Sequence, residues 1–240
     1  MKAQAAHQRS LLELAAIDAE LGRLNHRAAH LPEQQRYDAA VASQRDATDR
    51  LAVLGIAAED LDAQVSRLES EVDGVRKRED RDRGLLDAGS VNAKQLEELQ
   101  HELGTLARRQ TSLEDTLLEL MERREQLAAE QAEAQAAARA ADAEVSDALA
   151  ARDEATAGIE QARAERSAQR GELVAAIDAE LVGLYEHQRT ASGIGAGLLQ
   201  GGRCGACRIE LDRGEIGRIT AAPADEVLRC SECRAVLVRP

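Results

Sequence analysis

Four cysteines carry the only recognisable chemistry in this chain. They stand as Cys204-Gly205-Ala206-Cys207 and Cys230-Ser231-Glu232-Cys233, with 22 residues between the pairs. Two residues between the cysteines of a pair let both sulfurs turn to one point. Two such pairs supply the four thiolates that a tetrahedral Zn²⁺ accepts. Two disulfides would need an oxidising compartment, and no segment directs the chain to one. A thioredoxin-like redox motif would need a βαβ setting before Cys204, and none is present. The expectation is one structural zinc, because four protein ligands leave no coordination position open for catalysis.

No other arrangement of catalytic residues stands out. His7, His26, His30, His101 and His187 are scattered. His26 and His30 are four apart on a helix, a spacing that could hold a metal at the surface but reads as ordinary helix surface. There is no Ser-His-Asp pattern, phosphate-cradling glycine loop or carboxylate pair placed in a cleft. The expectation is no catalytic residue and no enzyme.

Two parts must position the cysteines. The composition is rich in Ala, Glu, Leu, Arg and Gln, and the only aromatics are Tyr37 and Tyr185. That is the composition of long helices, not of a large compact core. The net charge of −13 argues against broad nucleic-acid binding. The first residues include Lys2, Arg9 and Glu13 and hold no long apolar run, so neither a signal peptide nor a membrane span is expected. The cytoplasm, where thiols stay reduced, is the expected location.

A heptad-like seam runs Leu14, Ile17, Leu21, Leu24, Ala28, Leu31, breaks or kinks near Pro32, and returns as Leu51, Leu54, Ala58, Leu61, Val65, Leu68, Val72 and Val75. It stops in the glycine-bearing stretch 84–92. Asn92 with Gln95 makes a capping-box-like start. A second seam then runs from Leu96 through Leu99, Leu103, Leu106, Gln110, Leu113, Leu117 and Leu120. Ala-rich stretches sit symmetrically about Gly89. The fold class expected is therefore mainly α, a long antiparallel coiled-coil hairpin over 1–190 with its turn near 84–92. Residue i would face about 180 − i, placing Leu61 near Leu117 and Val65 near Leu113. A parallel dimer is the rival, and the glycines and the cap count against it. Residues 191–202, with Gly193, Gly195 and Gly197, read as a linker. Residues 203–240 read as a small β zinc ribbon, with Ile209 and Leu211 in one strand, Ile216 and Ile219 in the return strand, and 235–238 in the last.

Taken together, the stretch 91–103 near the turn and the four-cysteine ribbon with its tail Ala235-Val236-Leu237-Val238 resemble a bacterial family. That family joins a long N-terminal coiled-coil hairpin to a C-terminal four-cysteine zinc ribbon. Members often carry Gly after the fourth cysteine, where this chain has Arg234. The resemblance implies a non-enzymatic adaptor that joins protein partners to nucleic acid. A pure protein scaffold or chaperone for transcription or secretion components is the alternative.

Two surfaces are candidates for partners. The ribbon has seven Arg against six Asp or Glu. Arg203, Arg208, Arg213 and Arg218 recur every five residues and are the candidate nucleic-acid contacts, although no aromatic is there to stack on bases. At the hairpin tip, Arg76, Arg78, Arg81 and Lys94 form the candidate protein-docking surface. No membrane and no small-molecule substrate is expected.

Overall fold

The computed structural model describes residues 1–240. It contains α1 (Ala5–Ala29), α2 (Pro32–Asp87), α3 (Ala93–Ala176), α4 (Ala179–Ser192), β1 (Ala196–Gln200), β2 (Arg203–Cys204), α5 (Arg213–Ala221), β3 (Leu228–Arg229) and β4 (Val236–Val238). The residues divide into two units. One is Met1–Glu33 with Ala151–Pro240; the other is Gln34–Ala150.

The second unit is a helical hairpin. Leu61, Val65, Val72 and Val75 of α2 are buried, as are Leu106, Ala134, Ala141 and Ala148 of α3. These fall at the three- and four-residue spacings of a seam. At the turn, Gly89 takes φ 64°, a left-handed value that costs glycine little. The capping box forms in both directions. The N–H of Asn92 donates to the Gln95 side chain, and the N–H of Gln95 donates to the Asn92 side chain, each at 3.0 Å.

The antiparallel direction is as expected, but the register is not. Asp62 pairs with Arg124 at 2.5 Å, Gln44 donates to Asp142 at 2.7 Å, and Gln131 donates to the carbonyl of Leu54 at 3.1 Å. Residue i therefore faces about 186 − i, and Leu61 shares a groove with Arg123, Gln126 and Leu127, not with Leu117. The reason lies at the turn. Residues 92–98 are all exposed and Leu99 is the first half-buried residue of α3. The loop thus carries the chain past the end of α2 before α3 begins, and the first turn of α3 has no residue opposite. Leu96, expected in the seam, is 41 % exposed for this reason.

In the first unit, α1 ends at Ala29 and Pro32 opens α2, so the break near Pro32 occurs as expected. Proline suits that place because the first N–H of a helix has no partner to lose. A second break was not anticipated. The chain leaves α3 at Ala176 and restarts at Ala179, where the Asp178 carboxylate caps α4 by accepting from the N–H groups of Glu180 and Leu181.

The segment 191–202 is not a linker throughout, because five of its residues form β1. Gly193 closes α4 in a left-handed conformation, φ 83°. A Cβ on Gly195 would overlap the ring of Tyr185, and one on Gly197 would overlap the backbone N of Ala206. The alternate glycines thus permit close packing. β1 pairs parallel with β4 and antiparallel with β2, and β4 pairs antiparallel with β3, giving the order β2-β1-β4-β3.

β4 is buried on both faces. Val236 joins a cluster with Leu11, Leu14, Leu181, Tyr185 and Ala196, while Leu237 joins Cys204, Cys230, Ile219, Leu211 and Leu228. Alternate residues of one strand thus bind the helical base and the metal end into one core. The expected return strand through Ile216 and Ile219 is instead α5. Asp212 caps it by accepting from the N–H of Glu215 at 2.9 Å, and Ile216 and Ile219 fall on one helical face. Around Ile209 and Leu211 there is only an isolated bridge between Arg203 and Glu210, not a strand.

Candidate metal centre and docking surfaces

Cys204 stands in β2 and Cys230 directly follows β3, and both are buried; Cys207 and Cys233 are half-exposed. All four sulfurs lie within 4.8 Å of one another. Cys204 and Cys233 are 3.8 Å apart, and Cys207 and Cys230 are 3.9 Å apart. Zinc–sulfur bonds of about 2.3 Å in a tetrahedron require sulfurs about 3.8 Å apart, so these two separations match a Zn²⁺ site.

The electrostatics agree. Burial pushes the Cys204 thiol up, against the pull of the N–H groups of Cys207 and Ala206. Burial pushes Cys233 up to about 12. Burial acts on Cys207 in the same sense but is outweighed by the N–H of Ile209 and the neighbouring cysteines, so this thiol lies below its usual range. Four thiolates this close need a divalent cation among them. The chemistry such an ion supplies here is cross-linking of two loops.

The two loops repeat one geometry. The N–H of Arg208 donates to the carbonyl of Cys204 at 2.7 Å, and that of Arg234 to the carbonyl of Cys230 at 3.0 Å. Both arginines are left-handed, with φ 66° and 65°. Such a conformation costs a side-chain-bearing residue about 1–2 kcal/mol, and glycine far less. Arg234 therefore makes the tight turn that glycine makes elsewhere, and Arg208 does the same in the first loop.

Second-layer contacts hold the centre. Glu215 accepts from the N–H and the hydroxyl of Ser231 at 3.2 and 2.6 Å. Gln188, on α4 and 5 % exposed, donates to the carbonyl of Cys233 at 2.6 Å and accepts from Arg229 at 3.1 Å. Arg239 donates to the carbonyls of Ile219, Ala222 and Pro223, closing the end of α5. At the helical base, Asp18 accepts from Arg170 and from the Tyr185 hydroxyl, both at 2.7 Å, and Glu186 pairs with Arg170 and Arg189. Sequence reading missed Gln188 and Asp18, since polar residues at helical spacing carry no mark of such partners.

The four candidate nucleic-acid arginines do not form one surface set. Arg203 pairs with Glu210 at 3.4 Å and Arg218 with Glu215 at 3.8 Å. Arg208 and Arg213 have exposed side chains with no ion partner. Of the tip residues, Arg76 is engaged across the arms with Glu114 at 2.6 Å and Lys94 with Glu98 at 3.8 Å. Arg78 and Arg81 are exposed and unpaired. Beside them Glu79 and Asp82 are buried, continuing the seam spacing of Val72 and Val75 with carboxylates, and Asp82 Oδ2 has no hydrogen-bond partner. The spacing was legible; the acidic residue types hid it. No helix is long and apolar enough to cross a membrane.

Two family models match the chain. Residues 14–193 match the model of the CT398-like coiled coil hairpin domain, and residues 203–237 that of the C4-type zinc ribbon domain. The chain is 59 % identical over 239 residues to an uncharacterized protein of Mycobacterium tuberculosis, covering 100 % of this chain and 98 % of the relative. A solved structure from Mycobacterium smegmatis is similar, with 56 % identity, full coverage of both chains and a TM-score of 0.84. The structure of CT398 from Chlamydia trachomatis shares the fold, at 17 % identity, 98 % coverage of both chains and a TM-score of 0.63.

Proposed function

The chain belongs to the CT398-like coiled coil hairpin family, and from that premise we propose that it is a non-enzymatic adaptor whose hairpin and zinc ribbon each dock macromolecular partners. The observation that carries this reading is the closed metal centre. All four metal positions are filled by cysteine sulfur, so the ion organises a surface instead of a reaction.

Protein partners are favoured. At the hairpin tip, Arg78 and Arg81 are exposed and unengaged beside the acidic end of the seam. In-cell crosslinking with and without nuclease tests this. Zinc-loaded protein should capture the same proteins in both conditions, and Arg78→Glu with Arg81→Glu should lose those held by the tip. Capture of nothing above background defeats the adaptor reading.

A second reading, in which the ribbon binds nucleic acid, is favoured by the unpaired side chains of Arg208 and Arg213. With few unpaired charges and no stacking aromatic, binding should be weak and fall steeply with salt. Full-length, zinc-loaded protein that shifts neither single- nor double-stranded probes at low salt defeats it.

A further inference from the structure

The two cysteine loops carry two features that zinc binding does not use. The first is a pair of arginines. Arg208 and Arg234 are the non-glycine residues with positive φ, and each follows the second cysteine of its pair. Glycine would make both turns with less strain, so the fold gains nothing from a side chain there. Neither guanidinium has an ion partner, whereas Arg203, Arg218, Arg229 and Arg239 are all engaged with the protein. Strain retained at matched positions points to a role for the side chains.

The second feature is a hollow of about 90 Å³. It is lined by Cys207 and Cys233, the residues directly before the two arginines, together with Ser192, Ile194 and Ala206. Ile194 is 43 % exposed at its rim. The space is well under the ~150 Å³ that admits a benzene ring. It suits an aliphatic side chain.

We infer that this end of the ribbon docks an acidic segment of a partner protein, seating one aliphatic side chain in the hollow and pairing carboxylates with Arg208 and Arg234. The planar fork of arginine matches a carboxylate in two parallel hydrogen bonds. The inference rests on the adaptor reading and assigns one of its surfaces. A competing role for the arginines is to offset the negative charge of the zinc–thiolate centre, and the two roles predict opposite effects of glycine.

The test uses the full, zinc-loaded chain and a displayed library of random twelve-residue peptides. Enriched peptides should carry Val, Leu or Ile flanked by Asp or Glu. A synthetic peptide of that consensus should bind at least tenfold more weakly to Arg208→Gly/Arg234→Gly and to Ile194→Ser. The glycine variant should hold zinc against a chelator as long as the parent or longer. Four results overturn the proposal: no enriched consensus, equal binding by the variants, faster zinc loss from the glycine variant, or arginine-dependent binding of oligonucleotides that exceeds that of the peptide. The adaptor reading fails separately, when crosslinking captures no protein on either unit.

Discussion

The Nε2 of Gln188 donates to the main-chain carbonyl of Cys233 at 2.6 Å, so a residue of α4 holds the peptide of a metal ligand. The same amide accepts from Arg229 of β3. Gln188→Ala leaves a carbonyl and a guanidinium short of partners, at a cost of about 1–3 kcal/mol. Zinc should then pass to a competing chelator measurably faster than from the parent. Unchanged transfer kinetics would show that the contact does not hold the loop.

Metal removal should reach the helical base. Purified protein should hold one zinc, and Cys204→Ser or Cys230→Ser should lose it. Because Val236 shares a cluster with Tyr185, the loss should alter tyrosine fluorescence in a Tyr37→Phe background, where Tyr185 is the sole tyrosine. Most far-UV helical signal should stay, since α2 and α3 hold most of the helix. Freshly reduced protein without zinc by elemental analysis would contradict the metal assignment.

Acid should weaken the base through Asp18. Burial acts to raise its carboxyl, but hydrogen bonds from Arg170 and Tyr185 and the charges of Arg170 and Arg189 outweigh it, holding the group below the usual range. A depressed carboxylate stabilises the fold above the unfolded value of about 3.9 and loses that contribution as pH falls through the folded value. Asp18→Asn should be about 1–3 kcal/mol less stable at pH 7. The gap in melting temperature between parent and variant should shrink as pH falls below about 4. A gap independent of pH would refute this assignment.

The acidic end of the seam should be improvable. Asp82 is 7 % exposed with an unpartnered oxygen, and Glu79 lies one step along the seam. Asp82→Leu should stabilise the hairpin by about 1–3 kcal/mol, read from denaturant midpoints. A lower midpoint would show that the carboxylate has a native partner.

Register can be measured directly. Spin labels at Asp62 and Arg124 of one chain should lie close, and diluting labelled with unlabelled chains should leave the distance unchanged. A label at Leu118 instead of Arg124 sits six residues away along α3, about 9 Å by helix rise. A shorter distance for 62–118 than for 62–124 would restore the register expected from sequence symmetry.

The metal ligands were legible because two C-x-x-C pairs have few other uses in a chain of this composition. The turn was legible because Asn92 and Gln95 cap locally. The register was not, since it depends on how far the loop runs beyond α2, and repeated Ala and Leu make neighbouring registers look alike. α5 was misread although Asp212 and Glu215 mark its start; two isoleucines three apart suit a short helix as well as an irregular strand. The glycines at 195 and 197 looked like chain breakers because their neighbours, Tyr185 and Ala206, are contacts that only the folded chain reveals.

The first unit is sewn from distant stretches of sequence. The N–H of Ala3 donates to the carbonyl of Asp225, Lys2 pairs with Asp225 at 2.9 Å, and Leu11 and Leu14 are buried against residues from 177 onward. During synthesis, α1 leaves the ribosome long before Val236 is made. At 5–20 residues per second that interval is about 10–40 s. The arms of the second unit can close on each other well before it ends. The apolar face of α1 waits through most of it for Ile177, Leu181 and Tyr185, a nascent-chain surface on which general chaperones, or a second chain on the same message, have time to act.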